Sequence, residues 1–119
     1  MERFIAYVEI PAEDFSRCVN FYNHAFGLTL KIHDYGEEKM APFPNNEGAI
    51  SFAKDFKPSA DGTLVSLHCG KDLDGVLERI EHEGGKIVRP KTKIEAEGMG
   101  YFALFIDSEG NKVGLYGDQ

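Results

Sequence analysis

The sequence predicts an α+β fold in which a strand–helix–strands unit, βαβββ, occurs twice within 119 residues. Three observations carry this reading. Two segments of helical period stand at matching places in the two halves. Each has one strand-like run before it and three after it. Both helical segments open on an aspartate and close on glycine.

The repeat is read from offsets. Asp14 is followed by Phe15, Cys18, Val19, Tyr22 and Phe26, then by Gly27. Asp72 is followed by Leu73, Val76, Leu77 and Ile80, then by Gly84 and Gly85. Asp14 and Asp72 are expected to accept backbone N–H bonds at the helix starts. Gly27 and Gly85 are expected to take the left-handed conformation that ends a helix. Glu78 and Glu81, with Arg79 and His82 beside them, belong to a wet face.

The strands follow in order. Phe4–Ile10 precedes the first helix, and Leu28–Tyr35, Glu38–Phe43 and Ala49–Ala53 follow it. Thr63–Cys69 precedes the second, and Lys86–Arg89, Gly100–Ile106 and Lys112–Tyr116 follow it. Turn residues separate these runs, among them Tyr35–Gly36, Asn45–Gly48 and Asp107–Asn111. Lys54–Gly62 is polar and turn-rich and reads as a linker. Neither half alone buries a helix against a sheet, so residues 1–119 are expected to form one domain: a first module to about residue 53, and a second from about residue 63.

Composition narrows the function. A formal net charge of −7 disfavours phosphate backbones, so nucleic acid is not an expected partner. No apolar run approaches the roughly 18–20 residues that span a bilayer, and no membrane partner is expected. The opening MERFIAYVEIP enters a strand-like run without an export signal, so a cytoplasmic protein is expected. Cys18 and Cys69 are far apart and not expected to pair. Cys18 falls on the apolar helix face, and Cys69 at a strand end is the more exposed.

Alternation defines a concave face. In the first strand Phe4, Ala6, Val8 and Ile10 should meet the helix, leaving Tyr7 and Glu9 on the other side. In the fifth, Val65 and Leu67 should lie under the second helix, leaving Ser66 and His68. Gly114 and Tyr116 share a face in the last strand, with Phe105 or Tyr101 as further members. Such a lining suits a small organic ligand with an aromatic or polar part. His24 and His82 read as surface residues, and the role of His33 is open. Gly84–Gly85 and Gly98–Gly100 lack the strand and helix context of a phosphate loop. Lys86, Arg89, Lys91 and Lys93 read as solvated charge balancing Glu95 and Glu97.

Three stretches together resemble the vicinal oxygen chelate superfamily, which includes glyoxalases, bleomycin-resistance proteins and dioxygenases. They are EIPAEDFSRCVNFYNHAFGL, FKPSADGTLVSLHCGKDLDGVLERIEHEGGKIVRPKT and GYFALFIDSEGNKVGLY. The resemblance implies two tandem βαβββ modules forming an open, curved, barrel-like sheet around a concave cleft. It also implies a homodimer, for which the surface near Phe52 and Phe56 is a candidate. In metal-using members His and Glu ligands come from the first, fourth, fifth and eighth strands. Carried over, those positions are Tyr7, Ser51, Val65 (or Leu64, with an extra residue at Cys69–Gly70) and Gly114. None is a metal-binding His or carboxylate, so no metal and no cofactor are expected.

The leading reading is a metal-free small-molecule pocket lined by Tyr7, Glu9, Ser51, Ser66, His68, Tyr101, Gly114 and Tyr116. One alternative is a lyase, isomerase or dioxygenase with a non-standard site. There Glu9 or His68 would move a proton, or Glu9, His68 and Cys69 would hold a metal with His33 or Glu38 nearby. The other alternative is a structural or regulatory dimer whose concave face is filled by its own side chains.

Overall fold

The computed structural model describes residues 3–119. The elements run β1 (Val8–Pro11), α1 (Phe15–Phe26), β2 (His33–Asp34), β3 (Lys39–Pro42), β4 (Gly48–Phe52), β5 (Ser66–Gly70), α2 (Leu73–His82), β6 (Lys86–Lys93), β7 (Tyr101–Ile106) and β8 (Lys112–Gly117). They build two open four-stranded sheets, ordered β1-β4-β3-β2 and β5-β8-β7-β6. In each sheet the strand before the helix pairs in parallel with the last strand of its unit, and the other pairs are antiparallel. The fold is α+β with two βαβββ units, as the repeat requires.

Three elements differ from the sequence expectation, each for a local reason. The first strand begins only at Val8, because its partner β4 begins at Gly48; Phe4 stands 88% exposed. Most of Leu28–Tyr35 is not strand. The backbone N–H groups of Leu28 and Leu30 bond to the Asn23 carbonyl and side chain, so this stretch caps the helix before it pairs. The sixth strand runs on to Lys93, past Pro90, with one register shift at Val88 and a second, between Arg89 and Thr92, that absorbs the proline.

The helix ends also differ between the halves. Asp14 accepts the Arg17 N–H at 3.2 Å, and Gly27 takes φ +66°, as expected. Asp72 caps nothing with its side chain; its carboxylate is drawn 2.9 Å from the Arg79 guanidinium instead. Left-handed φ falls on Gly84, at +93°, and not on Gly85. Gly85 is small for another reason. A Cβ there would stand 2.7 Å from Ile80 and 2.9 Å from the Phe21 ring, where α2 comes against α1.

The apolar stripe of α1 serves both sheets at once. Phe21 stacks with Phe105 of β7 at 6.1 Å between ring centroids, and Tyr22 meets both Phe105 and Phe43. One cluster of buried residues therefore takes in Ile10 and Ile50 from the first sheet, and Phe105 and Leu115 from the second. Full burial of each such side chain contributes about 1.5–3 kcal/mol.

Polar contacts fix the same join. The turn Asp107–Asn111 reaches from the second sheet to the start of α1. Glu109 accepts the backbone N–H of Glu13 at 2.9 Å and of Asp14 at 2.6 Å, and pairs with Arg17 at 2.8 Å. A negative group suits this end of the helix dipole. Asp107 accepts the Tyr22 hydroxyl at 2.7 Å and the Asn111 side chain at 3.0 Å. Asn111 in turn donates to the Pro11 carbonyl at 2.8 Å, fixing the end of β1. Burial pushes the Glu109 carboxyl up, but Arg17, the Asp14 N–H and Ser108 outweigh it and hold it below the usual range. Burial, then Asp107, pushes the Tyr22 phenol well up, so it remains a donor.

Two substitutions test this join. Glu109→Gln should cost about 1–3 kcal/mol in urea unfolding, the range for a hydrogen bond to a charged group and its orphaned partner. Because the folded carboxyl titrates below its unfolded value, its stabilisation is complete above the unfolded pKa and is lost as pH falls through the folded one. The variant should therefore show a flatter loss of stability on acidification; an unchanged acid limb would count against the clamp. Gly85→Ala should cost about 1–3 kcal/mol by overpacking against Phe21 and Ile80. An unaltered midpoint would mean that the helices do not meet there.

Candidate functional site

The faces turned away from the helices carry the polar and aromatic side chains that the core does not use. In the first sheet Ile10, Ala41 and Ile50 are buried toward α1, which leaves Glu9, Met40 and Ser51 on the opposite side. The Ser51 hydroxyl, itself buried, donates to Glu9 Oε1 at 2.7 Å and so orients a carboxylate whose residue is otherwise exposed. A groove of about 340 Å³ lies over this pair, bounded by Tyr35, Met40, Phe52 and Phe56. A second groove of about 470 Å³ runs along the free edge of β1, lined by Tyr7, Glu9, Phe56, Val65 and Val113. Glu9 and Phe56 line both.

The second sheet repeats the arrangement with different chemistry. Ser66 stands opposite Gly114, and His68 opposite Tyr116. A Cβ on Gly114 would lie 2.5 Å from Ser66 Oγ, so the glycine gives that hydroxyl its room. The rings of His68 and Tyr116 meet edge to face at 5.2 Å. His68 Nδ1 accepts the Gly70 N–H at 2.9 Å, so the neutral imidazole carries its proton on Nε2. The Tyr116 hydroxyl accepts the Gly100 N–H at 3.0 Å.

Two expected members face the other way. Phe105 is fully buried against the helices. Tyr101 shares its parity and packs on the core, because alternation along β7 sends Tyr101, Ala103 and Phe105 to the helix side. The Tyr101 ring lies beneath the ammonium groups of Lys91, at 4.8 Å, and Lys93, at 5.3 Å. Lys91 also pairs with Asp74, and Lys93 donates to the Met99 carbonyl; among the described residues no ion pair joins this basic run to Glu95 or Glu97. His24 and His82 are exposed, and both reach Glu83.

Tyr7, Glu9 and Ser51 therefore gather on the first sheet, and Ser66, His68, Gly114 and Tyr116 on the second. Neither groove holds both Glu9 and His68. The two candidate proton carriers therefore stand on different sheets. Phe52 packs against the core under Lys39, and Phe56 lines the grooves, so neither stands out as an exposed contact. Phe56 is a groove residue that the polar linker composition concealed.

The donor set does not fit a divalent ion. Ser51 is engaged with Glu9, and Gly114 has no side chain. The register shift between His68 and Gly70 places one extra residue at Cys69, which puts Leu64, not Val65, at the repeat position of Tyr7. The displaced set fares no better. Among the described residues no three His, Cys, Asp or Glu side chains come together as metal ligands. Burial, with Asp72 nearby, pushes the Cys69 thiol up to about 11, which keeps it protonated at neutral pH. No helix among the described residues is long and apolar enough to cross a membrane.

Comparison with known proteins agrees with this architecture. A search of curated proteins found no match. Solved structures share the fold. A glyoxalase/bleomycin resistance protein/dioxygenase family enzyme from Burkholderia phytofirmans PsJN superposes with TM-score 0.73 at 14% identity, covering 97% of this chain and 98% of that one. The fosfomycin resistance protein FosX from Listeria monocytogenes gives 0.70 at 15% identity, covering 100% and 96%. A glyoxalase I mutant from Zea mays gives 0.68 at 20% identity over 95% of this chain, which spans 45% of the maize chain. The family model for the Glyoxalase/Bleomycin resistance protein/Dioxygenase superfamily matches residues 4–115. With nearly the whole sequence under that model and both sheets in place, the chain belongs to this superfamily.

Proposed function

We propose that the faces turned away from the helices bind a small organic molecule without a resident metal ion. The observation that carries this is the Glu9–Ser51 pair. A carboxylate is held in a fixed orientation by a buried hydroxyl, in a groove walled by Tyr35, Met40, Phe52 and Phe56 beside the charged Glu38 and Lys39. Binding sites are built this way, from mostly apolar walls with a few oriented polar groups.

In this reading residues 1–119 act as one domain, with modules of about 1–53 and 63–119 joined by 54–62. The protein works as a homodimer, because each sheet offers half of a lined site. A partner copy that laid its Ser66, His68 and Tyr116 against the Glu9 face would enclose one ligand between two sheets. The free thiols of Cys18 and Cys69 favour a reducing compartment, the cytoplasm.

The test is a small-molecule screen by amide NMR on chelator-treated protein. Binders should shift the signals of Glu9 and Ser51, and Tyr7→Ala or His68→Ala should weaken them by roughly tenfold, the loss of one good polar or aromatic contact. Binders indifferent to both substitutions, or dependent on an added divalent ion, would defeat the reading.

A further inference from the structure

The second sheet says more about the ligand than the first. Its cross-strand rows are fixed by register. One row runs His68, Tyr116, Phe102, Thr92, and the next runs Ser66, Gly114, Leu104, Arg89. His68, Tyr116 and Phe102 thus stand side by side on one face across three strands, with the His68 and Tyr116 rings in edge-to-face contact.

Arg89 reaches this face through a fault in the strand. Ile87 pairs with Phe105, but Arg89 pairs with Leu104, so Val88 is an extra residue. Without it, alternation would turn Arg89 to the helix side with Ala103. Bulges re-aim side chains in this way. The guanidinium lies 5.2 Å over the Phe102 ring, and Nε donates to Thr92 Oγ1 at 3.2 Å. Arg17 and Arg79 are neutralised by Glu109 and Asp72, whereas Arg89 has no carboxylate partner among the described residues.

Charge points the same way. The row beyond holds Lys112, Ile106 and Lys86, and neither lysine is in an ion pair among the described residues. None of the positions in these three rows is Asp or Glu, in a chain with 20 acidic residues and a net charge of −7. At the far end of the row, His68 Nε2 is free to donate because Nδ1 is already engaged.

Resting on the small-molecule reading above, we propose that the ligand is an aromatic carboxylate. Its ring lies on Tyr116, and its anionic group is taken by Arg89, whose guanidinium covers the neighbouring Phe102 ring. A planar guanidinium already held over a ring matches a planar carboxylate on a planar ligand. His68 donates to a hydroxyl or carbonyl at the opposite edge. The first sheet, with Glu9, does not share this preference for anions.

The experiment compares 4-hydroxybenzoate with 4-hydroxybenzamide and 4-hydroxybenzylamine, each titrated into the full chain by amide NMR. 4-Hydroxybenzoate should shift Phe102, Tyr116 and His68, and should bind roughly tenfold more tightly than the neutral amide. Arg89→Gln should abolish that difference while leaving amide binding in place. A second variant, Arg89→Lys, keeps the charge but loses the planar fork, and should recover only part of it. The proposal fails if 4-hydroxybenzoate leaves these residues unshifted, if the amine or amide binds as well, or if Arg89→Gln leaves the preference intact. In those cases, neutral or cationic ligands that shift Glu9 and Ser51 would leave the broader small-molecule reading standing. If no compound in the wider screen shifted either face, both would fall.

Discussion

A carboxylate at the wrong end of the chain organises this molecule. Glu109, in the last hairpin, sits at the N-terminus of the first helix and satisfies backbone donors that the helix itself leaves open. Asp107 in the same turn holds Tyr22, whose ring reaches aromatic residues of both sheets. Asn111 holds the end of β1, and the next residue, Lys112, donates its backbone N–H to Ser59 in the connecting segment. The groove along β1 is bounded by the end of this turn, through Asn111, Lys112 and Val113, opposite Tyr7, Glu9 and Val65. A change here acts on stability and on the shape of the candidate site together.

With the helices spent on one side of each sheet, the other sides are left free to vary. Their furniture differs. The first carries an acid fixed by a hydroxyl, and the second a row of aromatic residues with an arginine that has no carboxylate partner among the described residues. Two of the three departures from regular pairing in the second sheet bear on that face. The shift at Cys69 sets which residues of β5 stand beside Tyr116, and the shift at Val88 brings Arg89 into view. Irregular strands are used here to place side chains, and the cost in ladder hydrogen bonds falls at sheet edges, where it is smallest.

The helices and the order of strands were legible in the sequence because they rest on short-range periodicity. The offsets after Asp14 and Asp72 name most of the buried residues of both helices but miss Phe21 and Ala25, and Gly27 ends the first as its conformational freedom suggests. The second helix was less readable at its ends. Nothing local distinguishes an aspartate that caps from one that a nearby arginine draws away, as Arg79 does with Asp72. Likewise the need for glycine at position 85 comes from Phe21, a residue far away in sequence. The faces followed parity wherever strands were regular, which placed Glu9, Ser66, His68 and Tyr116 correctly. Tyr101 was grouped with Tyr116 although its parity along β7 opposes that, and Arg89 was hidden by a bulge that periodicity cannot announce. Phe56 was read only as part of a candidate dimer surface, because the polar composition of its segment gives no sign that it lines both grooves.

The central claim is that this member of the superfamily binds its ligand with side chains alone. Elemental analysis tests it most directly, on untagged protein purified without chelators from cells supplemented with nickel, zinc, iron and manganese. The expected result is metal far below one equivalent per chain, from the donor chemistry of Tyr7, Ser51, Leu64 and Gly114. Stoichiometric retention of any of these metals would contradict the account and redirect the search for ligands to Glu9, His68 and Cys69.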